Sequence, residues 1–322
     1  MDTYKPPYTL TSRIVNLTSQ ISEEMTKIAL NEKHIITPKL RKISRVKTLA
    51  GTLEIEGNFL GEEKITAILA GKRVLGTYQE VIEAQSAINA YSAFETYRPY
   101  EMSDLLEAHR RMMENILRTP GQFRRVNVGV GNSQGVSHVA PSYDRVPELM
   151  AQLFDWLKNS DEHPLIKSSV FHYEFEFIHP FSDGNGRIGR LWQSVILHHW
   201  RKPFIAIPTE SIVRDHQESY YDAIEASTEQ AESTPFIEFM LEVILESIKS
   251  SVKSSVKSSV NTEDGIVMYL KDYPDATMRE IAEYLGLSTR AIEKQIAKLK
   301  AENRLKRVGS ARKGHWEITD EA

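Results

Sequence analysis

The sequence predicts a mainly α-helical protein with a small β-hairpin and a separate C-terminal domain. Apolar residues recur at i, i+3 and i+4 along most of the first 248 residues, as they do in amphipathic helices. One short run differs, because Val126, Val128 and Val130 alternate with other residues as in a half-buried strand. After residue 262 the pattern changes to short helices followed by a hairpin, which indicates a second fold.

The predicted helices before residue 249 share the helical spacing of apolar residues and lie at 22–30, 61–69, 78–94, 102–117, 146–158, 163–178, 191–200, 220–226 and 235–248. Helix 163–178 is mostly apolar, with Phe171, Phe175 and Ile178 on one stripe, so it is expected to be the core helix. His172 in this helix is interpreted as a packed structural histidine.

The composition is consistent with a protein of a reducing compartment. The 322 residues are enough for one sizeable core and a smaller domain, and cysteine is absent, which excludes disulfides and thiolate metal sites. The first ten residues are polar, and no apolar run approaches the ~20 residues of a membrane span. We therefore expect a cytoplasmic protein without a membrane segment. The net charge of −4 gives no overall argument for nucleic-acid binding.

The residues with the clearest chemistry lie at 179–190 and read HPFSDGNGRIGR. Glycines on both sides of Asn185 disfavour a helix interior, so they are expected at the N-terminus of the following helix, where free N–H groups favour an anion. Arg187 and Arg190 are three residues apart and share a face of the first turn, where guanidinium groups suit phosphate oxygens.

Two further side chains in this segment complete a reactive site. Asp183 suits Mg²⁺, which prefers one or two carboxylates together with phosphates. His179 suits proton abstraction from a hydroxyl nucleophile. A base, a metal ligand and a phosphate cradle together indicate nucleotidyl or phosphoryl transfer. Taken singly, each of these residues is also explained by an ordinary turn that contains a loop histidine. No packing requirement, however, explains the whole segment.

The string resembles the signature of the Fic family, His-Pro-Phe-x-Asp/Glu-Gly-Asn-Gly-Arg-x-x-Arg, at every fixed position. The resemblance implies a protein adenylyltransferase that moves AMP from ATP to Ser, Thr or Tyr hydroxyls of proteins, itself included. It implies that His179 is the general base and Asp183 the Mg²⁺ ligand. The implied ATP-binding residues of this segment are Gly184, Asn185, Gly186, Arg187, Ile188, Gly189 and Arg190. Doc-like kinases of the same family have lysine in place of Gly186, so the glycine favours AMP transfer.

An upstream segment, residues 52–58 with the sequence TLEIEGN, resembles the inhibitory motif of the family. The resemblance implies that Glu56 pairs with Arg190 and occupies the arginine needed for the γ-phosphate of ATP. A carboxylate and an arginine form a strong bidentate pair when water is excluded. The alternative is a solvated glutamate at a helix end before a glycine cap.

Two more segments resemble parts of the family's site. The valine strand resembles the flap, a hairpin that grips the target backbone by strand addition, which implies that Val128 and Val130 position the target. An ordinary surface hairpin is the alternative. Tyr220 and Tyr221 stand where relatives place an aromatic pair near the adenine, and Thr228 stands where relatives often have asparagine.

A repeat, KSSVKSSVKSSV at 249–260, separates the two parts of the chain. Its serines argue against a strong helix, although its valines four apart allow it to extend the preceding one, and we interpret it as a linker. Residues 262–322 then resemble a winged helix-turn-helix domain: helix 262–271, a capping box at Thr277 opening a helix to 285, a turn at Gly286, a helix from Ser288, and hairpin 304–318.

The winged-helix region is rich in basic residues. The segment 290–313 has nine, at 290, 294, 298, 300, 304, 306, 307, 312 and 313, against Glu293 and Glu302. Such a face favours DNA, and protein contact or dimerisation is the alternative.

The sequence thus predicts an N-terminal helical region with the inhibitory helix (1–98), a Fic-type core (99–248), the repeat linker (249–261) and the winged helix (262–322). The expected ligands are ATP, Mg²⁺ and a protein with an accessible hydroxyl; DNA and a second copy of the chain are further candidates. Two other functions stay open, namely removal of AMP from modified proteins with Glu56 positioning water, and a DNA-binding regulator that uses the Fic-like domain as a nucleotide sensor.

Overall fold

The computed structural model of the protein describes residues 4–30, 35–36, 38–132, 135–259, 262–285, 287–309 and 314–319. The chain divides into two compact units, one formed by Met1–Glu32 and Arg41–Ser251 and the other by Lys33–Leu40 and Val252–Ala322. The first unit contains the expected core region and all of the expected N-terminal region except Lys33–Leu40.

The helices that contribute to the first unit are α1 (Ser12–Leu30), α2 (Pro38–Ile55), α3 (Gly61–Leu69), α4 (Tyr78–Ser92), α5 (Met102–Met112), α6 (Val146–Asn159), α7 (Pro164–Ile178), α8 (Asn185–Trp200), α9 (Thr209–Asp215), α10 (Gln217–Gln230) and α11 (Thr234–Ser259). Short 3₁₀ turns lie at Phe94–Thr96, Tyr143–Arg145 and Lys202–Ala206. The prediction of a mainly helical fold is confirmed.

Five predicted helices differ from the structure by more than two residues at an end. Helix 22–30 begins ten residues earlier, at Ser12, and helix 220–226 is part of the longer Gln217–Gln230. Helix 102–117 ends at Met112, and Asn115 adopts a left-handed backbone with φ 65°, which a helix interior excludes. Helix 191–200 begins earlier, at Asn185, so the signature glycines and arginines lie in its first turns. Helix 235–248 continues through the repeat to Ser259, the outcome that the valine spacing allowed. A non-helical linker is therefore excluded up to that residue, while residues 260–261 lie outside the described part.

Helix α7 is the central helix, as predicted. Almost every residue along it is buried, which is the pattern of a helix surrounded by others. It packs along α8, and the aromatic rings of Phe171, Phe175 and Trp192 lie in the core between these helices and their neighbours. The C-terminal end of α7 and the N-terminal end of α8 meet at the signature loop, so the site is fixed by the two best-buried helices.

The flap segment forms an antiparallel hairpin of β1 (Gly129–Asn132) and β2 (Gly135–Val139). The strand begins later than the valine alternation predicted, since Val126 and Val128 precede it. The carbonyl of Val126 accepts a hydrogen bond from Arg124 Nη1 at 2.8 Å, so the guanidinium replaces a strand neighbour there. Each strand has one neighbour within this two-stranded sheet, which leaves an edge suited to strand addition.

The second unit contains α12 (Thr262–Asp272), α13 (Met278–Leu285), α14 (Thr289–Ala301) and an antiparallel hairpin, β3 (Leu305–Val308) with β4 (His315–Ile318). The expected capping box is present, because Thr277 and Glu280 exchange hydrogen bonds. Ile292, Ile296 and Leu299 of α14 are buried in a separate apolar cluster. The predicted turn at Gly286 and the basic residues 312 and 313 lie outside the described residues.

Candidate active site

His179 caps the C-terminus of α7 in a left-handed conformation, φ 50° and ψ 60°. Pro180 prevents the helix from continuing, and the His179 N–H still donates to Phe175 at 2.9 Å. Arg124 donates to the His179 carbonyl through Nε at 2.8 Å, and its backbone N–H donates to the Pro180 carbonyl at 2.9 Å. Main-chain contacts therefore hold the strained turn, and the half-buried imidazole is left to the site.

Arg124 was not among the predicted site residues, yet it joins the signature loop to the flap. Its guanidinium is buried and also donates to the carbonyls of Val126 and Pro141, on the two sides of the hairpin. One buried cation thus crosslinks the turn at His179 with both ends of the flap. The contacts go to backbone carbonyls, which no spacing of residue types reveals.

The N-terminus of α8 is an open anion site. Gly184 precedes the helix at φ 85° and gives it no side-chain cap, so the first N–H groups of the helix are available to a ligand. A Cβ on Gly184 would lie 2.6 Å from the sulfur of Met113, so glycine is required there by conformation and by space.

Asn185 closes the loop in front of this helix. Its Oδ1 accepts from the Phe181 N–H at 2.9 Å, and its Nδ2 donates to the Phe181 carbonyl at 2.9 Å. The amide therefore shapes the phosphate loop through its side chain, and any phosphate contact must come from backbone groups or from neighbouring residues.

His109 supports the same loop from α5. Its ring stacks on Phe181 with centroids 3.6 Å apart. Gly121 N–H donates to Nδ1 at 2.7 Å, so Nε2 carries the proton and donates to the Asp183 carbonyl at 3.0 Å. Burial lowers the pKa of His109 to about 4, which keeps this tautomer neutral. His109 positions the loop and was missed by the sequence analysis.

Asp183 and Arg187 face each other across the mouth of the site. Asp183 Oδ1 accepts from the Gly184 N–H at 2.6 Å and from Arg187 Nη2 at 3.2 Å. Arg187 is buried, and its Nε has no hydrogen-bond partner among the described residues. A buried, unsatisfied guanidinium N–H beside an anion site is what a phosphate oxygen would satisfy.

The same residues can be compared with the ligands that a Mg²⁺ ion requires. The Asp183 side chain is 50% exposed, so it is accessible to a hydrated cation. Among the described residues, no group of three or more His, Cys, Asp or Glu side chains is gathered as a metal site. A single carboxylate beside an anion site fits Mg²⁺, because this ion keeps waters and takes phosphates as ligands. Asp183 would hold it, and the ion would neutralise phosphate charge.

Arg190 is enclosed by the end of α2, the helix that precedes the predicted inhibitory residue Glu56. Its Nη2 lies 2.6 Å from Glu56 Oε1, while Nε donates to Thr52 Oγ1 at 3.2 Å and Nη2 to the Thr52 carbonyl at 3.3 Å. Burial alone would raise the pKa of Glu56, but the charges of Arg190, Arg187 and His179 hold it below its ordinary value. Glu56 is therefore an anion close to His179 and to both arginines of the signature.

A second carboxyl, that of Glu176, lies on the other side of Arg190. Burial raises the pKa of Glu176 to about 8. The positive charge of Arg190 opposes this increase, and the negative charge of Glu56 adds to it. Next to it, His172 accepts from the Tyr220 hydroxyl at 3.1 Å and donates to Gln193 Oε1 at 2.6 Å, and burial lowers its pKa to about 3. His172 is structural, as interpreted, whereas no pattern in the sequence indicated a role for Glu176.

The two glycines of α8 leave room for these carboxyls. A Cβ on Gly186 would lie 2.5 Å from Glu56 Oε1, and one on Gly189 would lie 2.6 Å from Glu176 Oε1. Ile188, the remaining predicted contact of this segment, is fully buried and packs in the core. The glycines thus admit an inhibitory carboxylate as well as a ligand.

The aromatic pair and the flap contact Arg190 and the signature loop less directly than the residues described above. Tyr220 is buried and its hydroxyl is bonded to His172, while Tyr221 is 42% exposed. Thr228, which replaces the expected asparagine, lies 3.3 Å from the Tyr173 hydroxyl. An adenine contact by either ring stays a prediction. Val128 is half-buried ahead of the strand, and the Val130 backbone pairs with His138.

The geometry defines a class of site: an uncapped helix N-terminus with a histidine at the end of the preceding helix and an arginine held by an upstream carboxylate. The Fic/DOC family profile matches residues 99–197. A solved structure of a Fic family protein from Desulfovibrio desulfuricans G20 is 36% identical, with 99% of each chain covered and a TM-score of 0.77. The chain belongs to the Fic family.

Relatives of established name carry the same resemblance over part of their length. A protein adenylyltransferase Fic of Culex quinquefasciatus is 27% identical over 66% of this chain and 43% of its own. Protein adenylyltransferase fic-1 of Caenorhabditis briggsae is 29% identical over 59% of this chain and 38% of its own. The chain thus spans less than half the length of these relatives. Within the described residues, no helix combines the length and apolarity that crossing a membrane requires.

Proposed function

We propose that the protein is an autoinhibited adenylyltransferase that moves AMP from ATP to Ser, Thr or Tyr hydroxyls of proteins, including its own. The observation that carries the proposal is the pairing of Glu56 with Arg190 beside a complete signature loop. The buried Nε of Arg187 and the uncapped N-terminus of α8 supply phosphate contacts at the same place.

In the proposed reaction, His179 accepts the proton of the target hydroxyl, and the oxygen forms a bond to the α-phosphorus of ATP. The bond from that phosphorus to the bridging oxygen breaks, and pyrophosphate leaves. The N–H groups of α8 with Arg187 and Arg190 stabilise the negative charge of the phosphates. Mg²⁺ would enter with ATP and be held by Asp183.

Inhibition follows from the occupancy of Arg190. While Glu56 holds the guanidinium at 2.6 Å, a γ-phosphate must compete with a carboxylate for the same N–H groups. The phosphate chain would then lack one anchor and lie out of line for attack. Loss of Glu56 frees the arginine without disturbing His179 or the loop.

Incubation of the purified protein with α-labelled ATP and Mg²⁺ tests this function. Glu56→Gly should increase self-labelling strongly over wild type, and Glu56→Gly/His179→Ala should abolish it. A matched control is Glu54→Gly, because Glu54 lies in the same turn and pairs with Arg214 at 2.8 Å rather than with the site. Equal labelling of wild type and Glu56→Gly would reject autoinhibition, and labelling that survives His179→Ala would reject the mechanism.

Removal of AMP from modified proteins is a second candidate, since the Glu56 carboxylate also faces His179 and has the position to orient a water. The two functions respond oppositely to one variant. Glu56→Gly should release transfer but eliminate removal, so release of AMP from pre-labelled protein distinguishes them. Removal that is faster in wild type than transfer in the variant would make this the main activity.

For the second unit we propose a winged-helix fold, supported by its order of three helices and a hairpin around its own apolar cluster.

The basic surface of the second unit is smaller than the sequence suggests. Lys298 lies 2.7 Å from Glu263, and Arg304 lies 3.6 Å from the same residue. Lys300 and Arg307 lie over the ring of Trp316. The DNA interpretation therefore depends mainly on Arg290 and Lys294, which are exposed on α14, and on Lys306, which is exposed on β3.

A further inference from the structure

A cavity of about 420 Å³ lies in the first unit, apart from the signature loop. Its size falls in the range of small-molecule sites, about 300–1,000 Å³. One wall is apolar and is formed by Leu69, Phe94, Phe204, Ile205 and Ile207. The lining also includes residues of the helix α2, namely Arg41, Lys42, Arg45 and Thr48. An occupant would therefore touch both the body of the domain and this helix.

The charges at this cavity select an anion. Arg41, Lys42 and Arg45 of α2 line it, all three are exposed, and none forms an ion pair among the described residues. The lining contains two carboxylates, and Glu95 is exposed. The second carboxylate, that of Glu210, is buried and accepts hydrogen bonds from hydroxyl groups. Three cations beside an apolar wall suit a molecule with one anionic end and a hydrocarbon body.

Glu210 connects the cavity to the inhibitory pair. Its carboxylate accepts from Thr48 at 3.2 Å, from Tyr91 at 3.2 Å and from Ser194 at 3.0 Å. The Tyr91 hydroxyl also interacts with the Thr52 side chain. A continuous polar path thus runs from the cavity floor to the residue that holds Arg190.

The inhibitory helix presents this path along one face. Thr48 and Thr52 are four residues apart and share a stripe of α2, and Glu56 follows four residues later, in the turn just after the helix ends at Ile55. The threonine that lines the cavity and the threonine that holds Arg190 thus lie on the same side of the helix. At Gly51 the helix backbone is in direct contact with α9, since a Cβ there would lie 2.7 Å from the Glu210 carbonyl carbon. A molecule that bridges α2 to the apolar wall would strengthen this docking.

We propose that the cavity binds a small amphipathic anion, a carboxylate or phosphate with a hydrocarbon body, and that the bound anion stabilises the docked inhibitory helix. The site is separate from the ATP site, and the regulatory part rests on the proposed function. By reciprocity, whatever undocks the helix lowers the affinity of the anion.

Titration calorimetry with decanoate, below its micelle concentration, tests the site. The full-length protein should bind it saturably with one site, and decyltrimethylammonium, with the same chain and opposite charge, should not bind. Arg41→Glu/Arg45→Glu should weaken decanoate about tenfold, because two attractive charges are reversed. Lys47→Glu is the matched control on the same helix outside the lining, and it should change the affinity less than about twofold.

A second variant approaches the cavity from its apolar side. Ile205→Trp places an indole in the space and should weaken decanoate while thermal unfolding shows that the protein still folds. Absence of saturable decanoate binding, or binding that ignores both the charge reversal and Ile205→Trp, would overturn the site.

The proposed coupling between the cavity and the Glu56–Arg190 pair is tested by a separate binding measurement. Glu56→Gly weakens the docking of α2, so it should lower decanoate affinity several-fold, while Glu54→Gly serves as the control. Equal affinity in wild type and Glu56→Gly would reject the regulatory link. Because binding is measured without AMP transfer, a protein that binds decanoate as described but never labels would contradict the proposed activity alone.

Discussion

Glu56 and Arg190 are 134 positions apart in the chain, yet their side chains meet at 2.6 Å in the centre of the site. The arginine is buried, and Thr52, one turn before Glu56, holds the same guanidinium through its hydroxyl and its carbonyl. The contact is therefore made by the end of a helix and not by one mobile side chain. It makes the position of α2 a determinant of how nucleotide binds.

The first prediction concerns the γ-phosphate. In wild type, ATP and ADP should bind with similar affinity, because Glu56 occupies the γ-phosphate ligand. In Glu56→Gly, ATP should bind about tenfold more tightly than ADP, as a charge-assisted contact is gained. Equilibrium binding of both nucleotides measures this directly.

Arg190→Ala separates the two roles of the arginine. The double variant Glu56→Gly/Arg190→Ala should lose the preference for ATP and remain nearly inactive, because the phosphate ligand is gone. If the double variant kept the preference, another residue would be the γ-phosphate ligand.

The second prediction concerns the docking of the inhibitory helix. Gly51→Ala should raise self-labelling although the residue is remote from the signature loop, because its Cβ would lie 2.7 Å from the backbone of Glu210 and push α2 away. Labelling and thermal unfolding are measured together. Added to Glu56→Gly, the substitution should give no further activation. A loss of labelling in that double variant would show instead that the contact is needed for the fold.

Several helices of the core could be predicted from the sequence alone. Apolar spacing predicted α3, α6 and α7 almost to the residue, because each has one clear buried face or is buried throughout. It missed α2 as an element, although Val46, Leu49 and Leu53 are buried at helical spacing. The basic residues before and among them, at 39, 41, 42, 45 and 47, obscured a pattern that a count of matches would have found.

The supporting residues of the site could not be predicted in the same way. Arg124 and His109 act on backbone atoms 55 and 74 positions away, and such contacts leave no periodic trace in the sequence. Glu176 looks like a polar residue on a core helix, and only the packing of Arg190 and Glu56 around it makes its protonation state unusual. The signature predicted the candidate reacting groups, whereas the residues that support them became visible only in the tertiary packing.

The third prediction separates the chemistry of His179 from its backbone. Both His179→Ala and His179→Asn should reduce transfer about 10²–10⁴-fold in the Glu56→Gly background, since the base is lost. Asparagine tolerates the left-handed conformation at φ 50°, so His179→Asn should keep more of the thermal stability than alanine. Nucleotide affinity should change little in either variant. Activity restored by asparagine would show that this position matters for the turn alone.

The fourth prediction concerns the second unit. If its exposed basic residues contact phosphates, Arg290→Glu/Lys294→Glu should abolish binding of the full chain to duplex DNA at low salt. Wild-type affinity should fall steeply as salt increases, because phosphate contacts release counterions. Lys271→Glu, exposed on α12, is the control. A wild-type chain that ignores DNA at low salt would exclude this role and leave the catalytic proposal intact.

The fifth prediction follows from the buried carboxyl beside Arg190. Burial raises the pKa of Glu176 to about 8, so the folded protein keeps a proton that the unfolded chain releases near its ordinary pKa of 4.5. A carboxyl with a raised folded pKa stabilises the fold fully below the unfolded pKa and loses this contribution as pH rises to the folded pKa. The free energy of unfolding should therefore decline across about pH 5–8, by at most about 1.4 kcal/mol per pH unit from this group.

Glu176→Gln isolates this contribution, because the amide is neutral at every pH and of similar shape. The melting temperature of wild type should fall relative to that of Glu176→Gln between pH 6 and 8, and the difference should level off above about pH 8. In Glu56→Gly the decline should end at a lower pH, because the charge of Glu56 helps to raise the pKa of Glu176. Parallel melting curves for wild type and Glu176→Gln across this range would show that Glu176 is ionised in the folded protein and shares Arg190 with Glu56.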